Sequence, residues 1–181
     1  MSNRAKISRE TTLLVRDCCL CLHVQRAART LARWFDEALR SLGLTNGQFS
    51  LLMSLNRPTP PAMADVASLL AMDRTTLTAA LKPLERRGLL TVATDPADRR
   101  SRLIALTPKG MRLLTRAVPI WQRTHQEIER LLPAGAPNRL RSNLRVLSGG
   151  SRGGAEPMRQ PIGISTQRSR KLLVPDFPSR A

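Results

Sequence analysis

Between Asp65 and Leu81 the chain reads DVASLLAMDRTTLTAAL, and this stretch limits the fold more than any other. Val66, Ala67 and Leu70 share one face of a short helix, and Leu77 and Ala80 share a face of the next, with only a brief turn between them. Two helices joined so tightly must cross steeply and lock through those five side chains, which is a helix-turn-helix. Ala71 stands where such turns often carry Gly, a position that Ala can follow at small cost. Asp73 is placed to cap the second helix, its carboxylate accepting from the backbone N–H groups of Thr75 and Thr76.

The residues on either side of this pair narrow the fold further. LLTVATD (Leu89 to Asp95) and SRLIALT (Ser101 to Thr107) read as two strands, and PADRR between them supplies turn residues and charge. Upstream lie a short helix from Thr45 to Leu55 and a Pro-broken connection, RPTPPA. Then come a helix over MADVASLLA and a second from Asp73 to Arg87. Three helices and a two-stranded hairpin in this order predict a winged helix-turn-helix over about 45–107.

A long helical pattern flanks this unit on each side. Cys21, Val24, Ala28, Leu31, Phe35, Ala38 and Leu42 recur three and four apart within a helix expected from Arg9 to Leu42. Met111, Leu114, Val118, Trp121, His125, Ile128 and Leu132 repeat the spacing, opened by Thr107 as N-cap and Pro108 at the first helical position, with Pro119 expected to kink the helix. Such seams suit either a dimer or packing inside one chain. The expected fold class is therefore mainly α with a small β-hairpin wing and long N- and C-terminal dimerisation helices, about 9–42 and 108–148, within one domain over 9–148. Residues 149–181, rich in Gly, Pro, Ser and Arg and without periodicity, are expected to be a disordered basic tail.

Thirty Lys and Arg against 13 Asp and Glu leave a formal charge of +17, which attracts polyanions. Only six of the cations lie in the tail, so the folded part is basic in its own right. No apolar run approaches the roughly 20 residues of a spanning helix. Arg16 and Asp17 interrupt the apolar N-terminal stretch, so no signal peptide is expected and the location is expected to be cytoplasmic. With no Tyr and five other aromatic residues, base stacking on RNA is disfavoured against reading of duplex DNA. No Ser-His-Asp arrangement, Gly-rich phosphate loop or paired carboxylates point to an enzyme, and no cofactor or metal is expected.

Helical spacing turns Leu77, Leu81 and Leu84 inward and leaves Arg74, Thr75, Thr78 and Lys82 outward, where they can face base edges and phosphates. Arg74, at the helix start, is the candidate for a bidentate contact with guanine; Thr76 completes the set. Asp98, Arg99 and Arg100 fall at the hairpin tip, a thin basic finger of the kind that enters a minor groove. Arg and Thr at a helix start are also commonly just solvated.

The segments LGLTNGQFSLL, LLAMDRTTLTAALKPLERRGLL and DPADRRSRLIALTPKG together resemble the MarR family of transcription regulators over roughly Cys21 to Leu132. The resemblance implies a homodimer, mostly a repressor, whose recognition helices enter successive major grooves of a near-palindromic operator with half-sites roughly 34 Å apart. It also implies that Asp98 orients Arg100 and that Arg100 enters the minor groove. An architectural, nucleoid-type DNA-binding protein without a sensing role is the alternative.

Family members usually release DNA when a ligand enters the cleft beside the dimerisation helices or when a cysteine is oxidised. Trp34, Phe49, Trp121 and His125 are candidate lining for a small aromatic effector, and would serve equally as core. Cys21 is similar in position to the reactive cysteine of the organic-hydroperoxide-sensing branch, though the tyrosines that serve that thiolate are absent. A lowered thiol pKa would then have to come from cations such as Arg16, His23 or Arg26. Cys18, Cys19 and Cys21 also read as apolar filler. A zinc site using Cys18, Cys21 and His125 lacks the usual spacing.

Overall fold

The computed structural model describes residues 7–149. The chain divides into two compact units, the first ending at Ala134 and the second beginning at Gly135. In the first unit, helices α1 (Arg9–Cys18) and α2 (Leu20–Leu39) lead through a 3-10 turn, Arg40–Leu42, to α3 (Asn46–Ser54), α4 (Met63–Leu69) and α5 (Arg74–Arg86). The hairpin strands β1 (Leu90–Thr94) and β2 (Arg102–Leu106) and the long helix α6 (Pro108–Glu129) complete it. This is the winged helix-turn-helix expected from the sequence. The second unit contains α7 (Ala136–Leu147), on which Leu140, Leu144 and Leu147 are exposed. Residues 150–181, which carry most of the expected tail, lie outside the described residues.

The flanking helices depart from the expected pair of uninterrupted rods. The first is broken at Cys19, whose extended backbone (φ −74°, ψ 104°) both ends α1 and begins α2. A break frees carbonyls that a continuous helix would satisfy. The His23 ring takes one of them, its Nε2 lying 3.1 Å from the Asp17 oxygen. At the other end, residues 130–135 separate α6 from α7. α6 itself runs through Pro119 without interruption.

Local chemistry explains the helix starts. Thr45 and Gln48 form a reciprocal capping box at α3, each side-chain oxygen accepting from the other's backbone N–H at 3.2 Å. Asp36 fixes α2 to the same point by accepting from the Asn46 N–H at 2.6 Å. Thr107 caps α6, accepting from the Gly110 N–H and donating its own hydroxyl to the Gly88 carbonyl. That second bond welds α6 to the wing.

β1 and β2 pair antiparallel from Leu90 opposite Leu106 to Thr94 opposite Arg102. The Pro-broken connection takes part as well: Ala62 bridges to Leu103, and the Ile104 N–H donates to the Pro61 carbonyl at 3.0 Å. The sequence concealed this third edge because proline lacks a donor and reads as a breaker. Here only its carbonyl is used. Val66, Leu77, Leu84 and Ile104 are fully buried in a common core with Leu39 and Leu52, so helices, wing and α2 share one apolar centre.

Candidate nucleic-acid interface

The turn between α4 and α5 sets the angle of the reading helix. It is closed by Met72 N–H donating to the Ala67 carbonyl at 2.9 Å, and requires Ala71 at φ 51°, in the left-handed region. Asp73 then caps α5. Its Oδ1 accepts from the Thr76 N–H at 2.8 Å and its Oδ2 from the Thr76 hydroxyl at 2.6 Å. These bonds favour the charged carboxylate, the side-chain bond most, and hold Asp73 below its ordinary pKa.

With α5 fixed, Leu77, Leu81 and Leu84 point into the core as their spacing predicts. Arg74, Thr75 and Lys82 are exposed. The other two members of the candidate set have local work. The Thr76 hydroxyl belongs to the cap, and half-buried Thr78 donates to the Arg74 carbonyl at 2.7 Å. Their oxygens remain able to accept, whereas Arg74 and Lys82 present charge.

The wing returns toward the start of α5. Asp95 N–H to Ser101 O and Ser101 N–H to Asp98 O close its tip, leaving Asp98, Arg99 and Arg100 exposed. Asp98 Oδ1 accepts from the backbone N–H of Arg100 at 2.9 Å, so the carboxylate fixes that residue's main chain. Arg74, Asp98 and Arg100 line one groove of about 400 Å³ with Met63, Ala64, Ala67, Ser101 and Arg102. Reading helix and wing thus converge as two halves of one basic surface. Arg102, the first residue of β2, was missed in the sequence, where only the charged residues of the tip stood out.

The effector candidates meet only in part. Phe49 and Trp121 stack at 6.2 Å between ring centroids, and Trp121 and His125 at 4.7 Å. His125 Nε2 lies 3.1 Å from Glu129 Oε1. Trp34 is 43% exposed and is not in that stack. Among the described residues no group of three or more His, Cys, Asp or Glu could hold a metal, so Cys18, Cys21 and His125 do not assemble a zinc site.

Within the single chain Cys21 is exposed, as are Val24, Ala28 and Leu31 along the same face. Of the cations suggested for its thiol, Arg16 pairs with Asp17 through two bonds and His23 is turned to the Asp17 carbonyl. The neighbour of the thiol is Gln25, whose Nε2 lies 3.1 Å from Sγ and whose Oε1 accepts from Arg29.

A helix-turn-helix joined to a basic wing defines a winged-helix, DNA-binding type of protein. Residues 44–101 match the MarR family model. An organic hydroperoxide resistance transcriptional regulator of Bacillus subtilis is 32% identical over 101 residues, 56% of this chain and 69% of that protein. The crystal structure of the Mycobacterium tuberculosis transcriptional regulator MosR in complex with DNA superposes with a TM-score of 0.66 at 36% identity, over 74% of this chain and 96% of that one. The transcriptional activatory protein BadR of Rhodopseudomonas palustris is 34% identical over 94 residues, half of this chain and only 54% of BadR's length. The chain belongs to the MarR family and is a transcriptional regulator of that type.

Proposed function

We propose that the protein is a homodimeric repressor that binds a near-palindromic operator and lets go on a chemical signal. The convergence of Arg74 and Arg100 on one groove carries this reading. Arg74 at the N-terminus of α5 is placed to reach a major-groove base edge, with Thr75, Thr76, Thr78 and Lys82 positioning the helix on bases and phosphates. Arg100, its backbone held by Asp98 and flanked by Arg99, is placed for the adjacent minor groove. The exposed apolar face of α2, with Val24 and Leu31, supports a partner helix from a second copy. The DNA bound in the MosR complex supports DNA as the ligand class.

Operator binding measured by fluorescence anisotropy at fixed salt tests the reading head. Arg100→Ala is expected to weaken binding by about 1–3 kcal/mol, or roughly 5- to 150-fold, and to leave the dimer intact. Unchanged affinity would remove Arg100 from the interface. Uniform coating of unrelated DNA by the parent would instead favour a nucleoid role.

For the signal, the Phe49–Trp121–His125 stack favours a flat aromatic effector, since an inserted ring can replace one stacked partner by another. A second reading, oxidation of Cys21, draws on the Gln25 amide beside the thiol and on the Bacillus subtilis relative. Hydroperoxide-induced operator release that survives in Cys21→Ser rejects that reading.

A further inference from the structure

At the base of the wing lies a second basic cleft, of about 440 Å³, lined by Arg87, Leu89, Lys109, Arg112, Leu113 and Arg116. Four cations and two leucines form it, with no carboxylate. Lys109, Arg112 and Arg116 are three and four apart on α6, so they stand on one face along roughly 10 Å of helix. Two of the cations are held in place. Lys109 Nζ donates to the Arg87 carbonyl at 2.7 Å, and Arg87 Nη1 to the Gly43 carbonyl at 2.8 Å. Among the described residues no ion pair involves any of the four.

Groove reading does not account for this cluster. Leu89 and Lys109 sit where the hairpin leaves and rejoins the helices, while Arg74 and Arg100 sit at the opposite ends of α5 and the wing. The 13 residues of α5 span roughly 20 Å, and the five-residue strands roughly 17 Å. Gathering like charges without counter-charge is unfavourable unless an anion is bound.

We infer that this cleft binds a small oligophosphate, an anion with at least two phosphoryl groups. The three cations of the roughly 10 Å stripe, with Arg87 beside them, match three or four negative charges better than the single charge of a carboxylate, and Arg112 and Arg116 suit phosphoryl oxygens through paired N–H donors. The cleft's walls are the end of α5, the start of β1 and the start of α6. An anion that draws Lys109 from the Arg87 carbonyl and Arg87 from the Gly43 carbonyl loosens the bonds that hold the reading helix to its neighbours. Binding thereby couples to operator affinity, a consequence that rests on the DNA-binding reading; the binding itself does not.

The test is calorimetric titration of the full chain with inorganic pyrophosphate at fixed salt. Saturable binding of one pyrophosphate per chain is expected, weakened at least about tenfold in the double variant Arg112→Gln/Arg116→Gln. The double variant Arg123→Gln/Arg130→Gln removes the same charge outside the cleft and is expected to bind as the parent does. No saturable binding by the parent, or equal loss in both double variants, overturns the site. So does a comparable loss of DNA affinity in Arg112→Gln/Arg116→Gln without pyrophosphate, since the phosphates recognised would then be those of the DNA backbone. Failure of the DNA-binding reading appears separately, as a parent without operator affinity that still gives the pyrophosphate isotherm.

Discussion

Gly110→Ala separates packing from helix propensity by the sign of its effect. Gly110 is buried in the first turn of α6, where the helix is drawn against the base of the wing by Thr107, through its N–H to the Leu89 carbonyl and its hydroxyl to the Gly88 carbonyl. A Cβ there would overlap the Leu89 carbonyl oxygen and lie 2.9 Å from Leu106 Cδ1 and 3.0 Å from the Leu89 carbonyl carbon. The obstacle is mainly backbone and cannot rotate away. Relief requires α6 and the hairpin base to part by on the order of 1 Å, an overpacking cost of about 3 kcal/mol that also strains the Thr107 bonds. Against it stands a gain of about 1 kcal/mol for Ala over Gly in a helix. The net loss is about 2 kcal/mol, a drop in Tm of roughly 4–8 °C. Thermal and urea unfolding at matched protein concentration measure it, because association shifts apparent stability. A variant as stable as the parent, or more so, would refute the close approach of α6 to the wing.

Ala71→Val places a β-branched residue at φ 51° and is expected to lose more than about 1 kcal/mol in thermal melts, whereas Ala71→Gly should lose nothing. Thr107→Ala removes both the α6 cap and the bond to Gly88, an expected loss of about 1–2 kcal/mol in urea unfolding, and equality with the parent would deny the cap. Because Asp73 is held below its ordinary pKa, the unfolded chain takes up this proton first as the pH falls. Its contribution is complete above the unfolded value and is lost through the folded one, so Asp73→Asn should flatten the acid limb of the stability curve; an unchanged slope would contradict the cap.

The reading head was legible in the sequence because its geometry is local. A short turn with Ala71, an N-cap at Asp73, leucines at helical spacing and a charged tip between two alternating strands each carry their own instruction within a few residues. The MarR resemblance came from those same segments. The break at Cys19 was not legible, since no Gly or Pro marks it and its freed carbonyl finds the His23 ring six residues on. The pairing of Pro61 and Ala62 with β2 was masked by proline, which can still accept.

The chain by itself therefore determined which residues form the helix-turn-helix and wing, and that the surface they carry is basic. Only the tertiary structure decided which charges meet. It brought Arg74 to Arg100, and Arg87 to Arg112 and Arg116, pairs contributed by different elements whose approach depends on how those elements pack. It likewise stacked Phe49 on Trp121 while leaving Trp34 outside, and turned Arg16 and His23 toward Asp17. Periodicity specifies the face a side chain occupies on its own helix; the neighbour across that face is set by the fold.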